Sequence, residues 1–101
     1  MVTQVVVTGL GMTTPVGGDV ASSWANVLAG RTGTVRITEP WVEDQPCKIA
    51  GLMAVDPADV LDRVESRRMD RAQQAALVAA REAWAQAGAP AVDPDRLGTV
   101  I

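Results

Sequence analysis

The sequence predicts an α/β fold, and three observations support this prediction. Two apolar stretches rich in β-branched residues lie near the two ends of the chain, at 5–7 and 97–101, and each is typical of a strand covered on both faces. Apolar residues at helical spacing lie between them, over 20–29 and 71–87. Glycine follows the first stretch and both helical segments closely. The resulting order, β-α-(β)-α-β, is typical of α/β architecture.

The glycine-rich segment that follows the first predicted strand matches nucleotide-binding loops only in part. A dinucleotide fingerprint requires G-x-G-x-x-G leading directly into a helix. Gly9 and Gly11 fit it, but Thr14 occupies the third position and Pro15 follows. The Gly-Lys-Ser/Thr ending of a phosphate-binding P-loop is also missing from the sequence. We therefore interpret these glycines as sites of a tight turn and close backbone packing, with nucleotide binding as the less favoured alternative.

The first helix is predicted over 20–29. Asp19 is a good N-cap, and apolar residues follow at i, i+4, i+7 and i+8, namely Val20, Trp24, Val27 and Leu28. Gly30 ends the pattern just past Ala29.

The middle of the chain is predicted to be less regular. Residues 31–55 lack a sustained period, and short strands are expected at 35–37 and 47–50. Asp56 and Pro57 begin a short helix, since proline is favoured at the first helical position and Asp59 would lie in the first turn.

The longest helix is predicted over 71–87. Asp70 can cap it, and Gln73 completes the spacing of a capping box. Gly88 and Pro90 end it. Its alanines recur at helical spacing, and other apolar residues widen the apolar surface beyond one stripe, so we expect it to be covered on more than one side.

Composition limits the class of protein. The chain has 101 residues, 48% of them hydrophobic and 21% charged, with a net charge of −3, which suits a single soluble domain and argues against a general nucleic-acid binder. No apolar run approaches the roughly 20 residues that span a bilayer, and the N-terminus lacks the features of a secretory signal. With one cysteine, Cys47, no internal disulfide is possible, so a cytoplasmic location is expected.

Large apolar side chains are scarce, which predicts a chain that packs against a larger body. There is no Phe or Tyr and there are 3 Trp, whereas large side chains supply most of the free energy of burial. A central strand at 97–101 would also need neighbouring strands, which the sequence pattern does not supply. A genuine edge strand is the less favoured alternative, because an exposed apolar edge invites aggregation.

Several short motifs, in chain order, resemble one family. They are V-V-V-T-G-L-G-M-T-T-P-V-G-G at 5–18, L-A-G-R-T-G at 28–33, K-I-A-G at 48–51, R-R-M-D at 67–70 and D-P-D-R-L-G-T-V-I at 93–101. Together they resemble the start of the β-ketoacyl-acyl carrier protein synthases. The likeness is greatest to the type II elongating condensing enzymes of fatty-acid synthesis, and polyketide ketosynthases are near relatives.

The resemblance implies a fold and a reaction. The fold would be the N-terminal part of a thiolase-like layered αβαβα fold, with residues 1–101 forming a fragment of the family's N-terminal domain and the rest of that domain and the C-terminal half absent. The parent would be a cytoplasmic acyltransferase, dimeric through parts outside this chain. It would perform decarboxylative Claisen condensation of acyl and malonyl groups held on acyl carrier protein. We expect no cofactor, no metal, and no nucleic-acid or membrane partner.

None of the family's catalytic residues can be assigned here. The family uses a cysteine thiolate and two histidines, and this chain has no histidine. Cys47 matches neither the position nor the context of the nucleophile. Lys48 beside it is a candidate for lowering the thiol pKa, but a buried or inert structural cysteine is the favoured interpretation. We therefore expect the 101-residue chain alone to be inactive.

A truncated, non-catalytic module that binds a partner is the alternative to a fragment of an enzyme. The intact mass of the source protein distinguishes the two. The acyl chain length and the choice between fatty-acid and polyketide synthesis are left open by the sequence.

An arginine-rich stretch is the candidate binding site. Residues 63–71 carry a net charge of +2 on an acidic chain, from Arg63, Arg67, Arg68 and Arg71 against Glu65 and Asp70. The alternative is a solvated face whose arginines pair with nearby carboxylates of Asp59, Asp62, Glu65 and Asp70. The resemblance implies that Arg63, Arg67 and Arg68 receive the acidic acyl carrier protein, while Arg71 faces the fold.

Overall fold

Four α-helices and a two-stranded sheet form the regular structure of residues 2–101, which are the residues that the computed structural model describes. In chain order the elements are α1 (Val20–Leu28), β1 (Thr34–Arg36), β2 (Ile49–Gly51), α2 (Pro57–Val60), α3 (Arg63–Ser66) and α4 (Arg71–Gln86), with single 3-10 turns at Pro40–Val42 and Pro94–Arg96. The two strands are antiparallel, with Val35 opposite Ala50.

The two long helices begin and end as predicted. Asp19 accepts a hydrogen bond from the Ser22 amide at 2.8 Å, and Asp70 accepts one from the Gln73 amide at 2.8 Å; both caps are capping boxes. Gly30 and Gly88 follow the helices with φ angles of 68° and 85°, the left-handed conformation that glycine tolerates. Helix α1 ends one residue earlier than expected, and so does α4.

The shorter elements of the middle segment are also confirmed. The strands lie within two residues of their expected bounds, and Asp56 caps α2 with Pro57 at its first position. Helix α3 is present although the sequence analysis did not predict it. Its single turn is too short to produce an apolar period, and the local signal for it is the cap Asp62, whose carboxylate accepts from the Val64 and Glu65 amides.

The predicted strands at 5–7 and 97–101 are not formed. Val5 is 94% exposed and Val100 is 97% exposed, and neither stretch is paired with another strand within residues 2–101. The physical reason is that a strand is stabilised by hydrogen bonds to a neighbour, which these residues do not supply. The predicted order β-α-(β)-α-β is therefore wrong at both ends, and the sheet present is a short antiparallel one.

The glycine-rich segment crosses the alanine face of α4. A Cβ atom at Gly9 would overlap the carbonyl of Ala83, and one at Gly11 would overlap the carbonyl of Ala79. The Leu10 amide donates to Gln86 Oε1 at 2.5 Å, which holds the segment on the helix. The prediction that these glycines permit close backbone packing is confirmed.

Helix α1 faces the rest of the chain with its polar side. Ser23 is buried, and its hydroxyl lies 2.8 Å from that of Thr14, while Asn26 donates to the Val16 carbonyl at 2.5 Å. The apolar stripe lies beside this polar side and is largely uncovered, and Trp24 is 61% exposed.

Helix α4 is covered on two faces, as the sequence predicts. Gln74 is buried against the loop before the helix, and half-buried Ala79 and Ala83, on a different face, lie under the glycine-rich segment. The strip of the helix with Trp84, Ala76 and Ala80 is exposed. Over residues 2–101, no helix is both long and apolar enough to cross a membrane.

Candidate functional site

The candidate binding residues lie on α3 and on the loop that joins it to α4. Arg63 and Arg67 are four residues apart, and the Arg67 amide donates to the Arg63 carbonyl at 3.3 Å, so their side chains share one face. Arg68 follows directly, with its amide bonded to the Glu65 carbonyl at 3.1 Å. All three side chains are exposed.

An apolar residue lies among these arginines. Val64 is 60% exposed and precedes Arg67 and Arg68 by three and four residues, the spacings of helical neighbours. We call Arg63, Val64, Arg67 and Arg68 the arginine surface. Exposed valine bordered by guanidinium groups resembles the usual layout of a protein interface, with an apolar centre and a polar rim.

Three of the carboxylates near the arginine surface, those of Asp62, Glu65 and Asp70, are engaged elsewhere. Both oxygens of Glu65 accept from the guanidinium of Arg81, at 2.9 and 3.0 Å. Asp62 caps α3 and Asp70 caps α4. Within residues 2–101, none of the three arginines of the surface forms an ion pair. Their positive charges are thus not neutralised by their own chain.

Arg71 serves the fold, as expected. Its Nη1 donates to Asp56 Oδ1 at 2.6 Å and joins the start of α4 to the start of α2. This hydrogen bond is the main reason that the pKa of Asp56 lies below its usual value, and the bond from the Ala58 amide lowers it further.

Gln74 attaches the loop before α4 to the helix. Its side chain is buried, with 7% of the residue exposed. Its Nε2 donates to the carbonyls of Ser66 at 2.8 Å and Met69 at 3.4 Å, and its Oε1 accepts from Arg71 at 3.5 Å. The sequence analysis missed this residue. The available signal was a glutamine one turn before Leu77 and Val78, on the apolar side of the helix.

Cys47 is exposed, so of the expected buried or inert cysteine the buried form is wrong, while an inert thiol stays a prediction. It lies in the segment that leads into β2, and its Sγ contacts the Ile49 carbonyl at 3.5 Å. Lys48 directs its ammonium to Glu43 instead, at 3.0 Å from the carbonyl and 3.5 Å from the carboxylate. Residues 2–101 also contain no cluster of three side chains suited to hold a metal ion.

An apolar groove lies between the glycine-rich segment and α1. Its volume is about 500 Å³, and its walls include Leu10, Met12, Val16, Val20, Trp24 and Val27. Such a groove can receive apolar side chains, and the hydroxyls of its two polar lining residues, Thr14 and Ser23, are hydrogen-bonded to each other at 2.8 Å.

Comparisons with known proteins give a consistent result. A family model described as the β-ketoacyl synthase N-terminal domain matches residues 2–101. The chain is 42% identical over 101 residues to 3-oxoacyl-acyl-carrier-protein synthase 2 of Staphylococcus aureus (strain N315), covering 97% of this chain and 24% of that protein. It is 38% identical over 95 residues to the synthase of the same name from Mycobacterium tuberculosis (strain CDC 1551 / Oshkosh), covering 92% and 23%. The chain thus spans about a quarter of the length of these relatives.

Proposed function

Because the chain belongs to the β-ketoacyl synthase family, matching its N-terminal domain, we propose that it is part of a 3-oxoacyl-acyl carrier protein synthase and carries a docking surface for the carrier protein. The membership confirms the resemblance found in the sequence. It also implies a thiolase-like fold, of which these residues would form the N-terminal part.

The proposed reaction is the decarboxylative condensation of acyl and malonyl thioesters in fatty-acid elongation. It requires a thiolate nucleophile and hydrogen-bond donors for the developing enolate. The chain has no histidine, and among residues 2–101 the hydrogen-bond partner of Cys47 is the Ile49 carbonyl and not a base, so we assign the chemistry to residues outside these 101. A cytoplasmic dimer with the acyl and malonyl forms of the carrier protein as partners is part of the same proposal. A non-catalytic module remains the alternative, which the intact mass of the source protein would distinguish.

The observation that supports docking is the unpaired charge of Arg63, Arg67 and Arg68. A local positive surface steers an acidic partner even when the protein's net charge is negative. Acyl carrier proteins are strongly acidic, and the relatives named above are acyl-carrier-protein synthases by name. The carboxylates of Asp62, Glu65 and Asp70 are already bonded elsewhere, so these three compete little for the guanidinium groups.

The test is charge reversal in the full-length protein. We expect Arg67→Glu with Arg68→Glu to raise the Michaelis constant for acyl carrier protein about tenfold at low salt and to flatten its salt dependence. Transfer from a small thioester that lacks the carrier should barely change, because it needs no protein surface.

A matched variant controls for net charge. Arg31→Glu with Arg36→Glu makes the same charge change at two exposed arginines that lie outside the surface and outside ion pairs within residues 2–101. It should leave the Michaelis constant near that of the unmodified protein. If the Arg67/Arg68 variant loses activity equally with the carrier protein and with the small thioester as substrate, these arginines are structural and the docking assignment is wrong.

A further inference from the structure

We propose that Gln74 is a positioning residue for the arginine surface, a role that rests on the proposed function. Its buried amide connects α4 to the loop that carries Arg67 and Arg68, without itself reaching the surface. Gln74 would thereby keep the docking surface in shape before the partner binds.

Both ends of the Gln74 amide are used. The NH₂ group donates to the carbonyls of Ser66 and Met69, at the two ends of the loop segment that carries the arginines. The amide oxygen accepts from Arg71, which is held in turn by Asp56 at the start of α2. A continuous polar connection thus joins α2, α4 and the loop. These partners assign the orientation of the Gln74 amide, because a flipped amide would place its oxygen against the carbonyl oxygens of Ser66 and Met69.

The loop needs this support because α3 is a single turn. A helix this short is marginal by itself, and its last carbonyls have no partner within the helix. Gln74 supplies a donor to one of them, at Ser66, and to the Met69 carbonyl just before the next helix. Ser66 is buried, and its carbonyl accepts from the Met69 amide at 3.3 Å as well as from Gln74 at 2.8 Å, so loss of the glutamine would leave it with only the longer of these two bonds.

A fixed loop favours docking for an entropic reason. Each long side chain or loop that is ordered only on binding lowers the affinity. Arg67 and Arg68 lie between the two carbonyls that Gln74 holds, so their backbone positions are set in the free protein. Loss of the amide should therefore weaken docking while all three arginines remain present.

The variants remove the amide in two ways. Gln74→Met keeps the length of the side chain and removes the donor and the acceptor. Gln74→Asn is milder, since it keeps the amide but is one methylene too short to reach both carbonyls. The control is Gln86→Met on the same helix, which removes one hydrogen bond, to the Leu10 amide, about three turns away.

Two measurements on the full-length protein test the proposal. Hydrogen exchange at the amides of Arg67, Arg68 and Met69, which are bonded to carbonyls of α3, should accelerate about tenfold in Gln74→Met and remain unchanged in Gln86→Met. The Michaelis constant for malonyl carrier protein should rise roughly threefold to tenfold in the Gln74 variants. Transfer from a small thioester should stay the same.

The outcomes separate the two hypotheses. Unchanged exchange at 67–69 in both Gln74 variants would overturn the positioning role. So would faster exchange with an unchanged Michaelis constant, if Arg67→Glu with Arg68→Glu does raise that constant. Should the double arginine variant itself leave the constant unchanged, the docking assignment fails and the role of Gln74 in docking fails with it.

Discussion

At Gly11 the chain touches the carbonyl of Ala79 so closely that a hydrogen atom is the largest substituent that fits. A Cβ there would overlap backbone, which cannot rotate away as a side chain could. We expect Gly11→Ala to lower the free energy of unfolding of the full-length protein by about 1–3 kcal/mol, measured by chemical denaturation.

Gly98→Ala is the matched control for this substitution. Nothing lies within 4 Å of a Cβ at Gly98, and its φ is not positive. The change in the unfolding free energy should therefore stay within about 0.5 kcal/mol. Equal effects of the two variants would show that Gly11 does not approach α4 as described.

One ion pair, Asp56 with Arg71, joins the start of α2 to the start of α4. Because the pKa of Asp56 is held below its usual 3.8 by that arginine and by the cap bond, the carboxylate favours the folded state where it is ionised. This stabilisation is complete above about pH 4 and is lost as the pH falls through the lowered, folded-state pKa. Both side chains are about half exposed, so added salt should weaken it.

Asp56→Asn tests the ion pair while keeping an N-cap, since asparagine caps helices as well as aspartate does. We expect the variant to unfold at a lower temperature than the unmodified protein at about pH 6, and the two midpoints to converge as the pH falls through the lowered pKa of Asp56. A difference that persists unchanged below that pKa would mean that the ion pair is not its cause. Arg71→Met should reproduce the loss at pH 6.

At the scale of the whole molecule, residues 2–101 bury few large apolar side chains. The buried hydrophobic residues are Val42 and Leu61, whereas Trp24, Trp41 and Trp84 are exposed. The radius of gyration is 17.1 Å, against roughly 13 Å for a compact chain of 100 residues. The segment at its start and the apolar stripe of α1 leave apolar surface uncovered, which ordinarily marks an interface.

We therefore expect residues 1–101 produced alone to unfold with weak cooperativity and to bind a dye specific for exposed apolar surface. The full-length protein is the control and should bind far less dye. A sharp two-state transition of a monomer would contradict this prediction. The same preparation should yield no 3-oxoacyl product from acyl and malonyl carrier proteins, and turnover abolished by Cys47→Ala would contradict that.

Features determined within a few residues were predictable from the sequence by itself. The caps at Asp19 and Asp70 and the left-handed turns at Gly30 and Gly88 depend on bonds and φ angles that span about one helical turn. The family motifs are likewise read directly from the order of residues, and they supplied the arginines of the proposed site.

Features that depend on distant partners were decided by the tertiary structure. Val5 has strand propensity but pairs with no strand within residues 2–101, so it remains exposed. The arginines of the surface keep their charge because Glu65 bonds to Arg81, 16 residues away, and not to them. The role of Gln74 depended on a loop that folds back onto its helix. Hydrogen bonds and ion pairs of this kind form only when the chain brings separated groups together, and local propensity carries no information about that meeting.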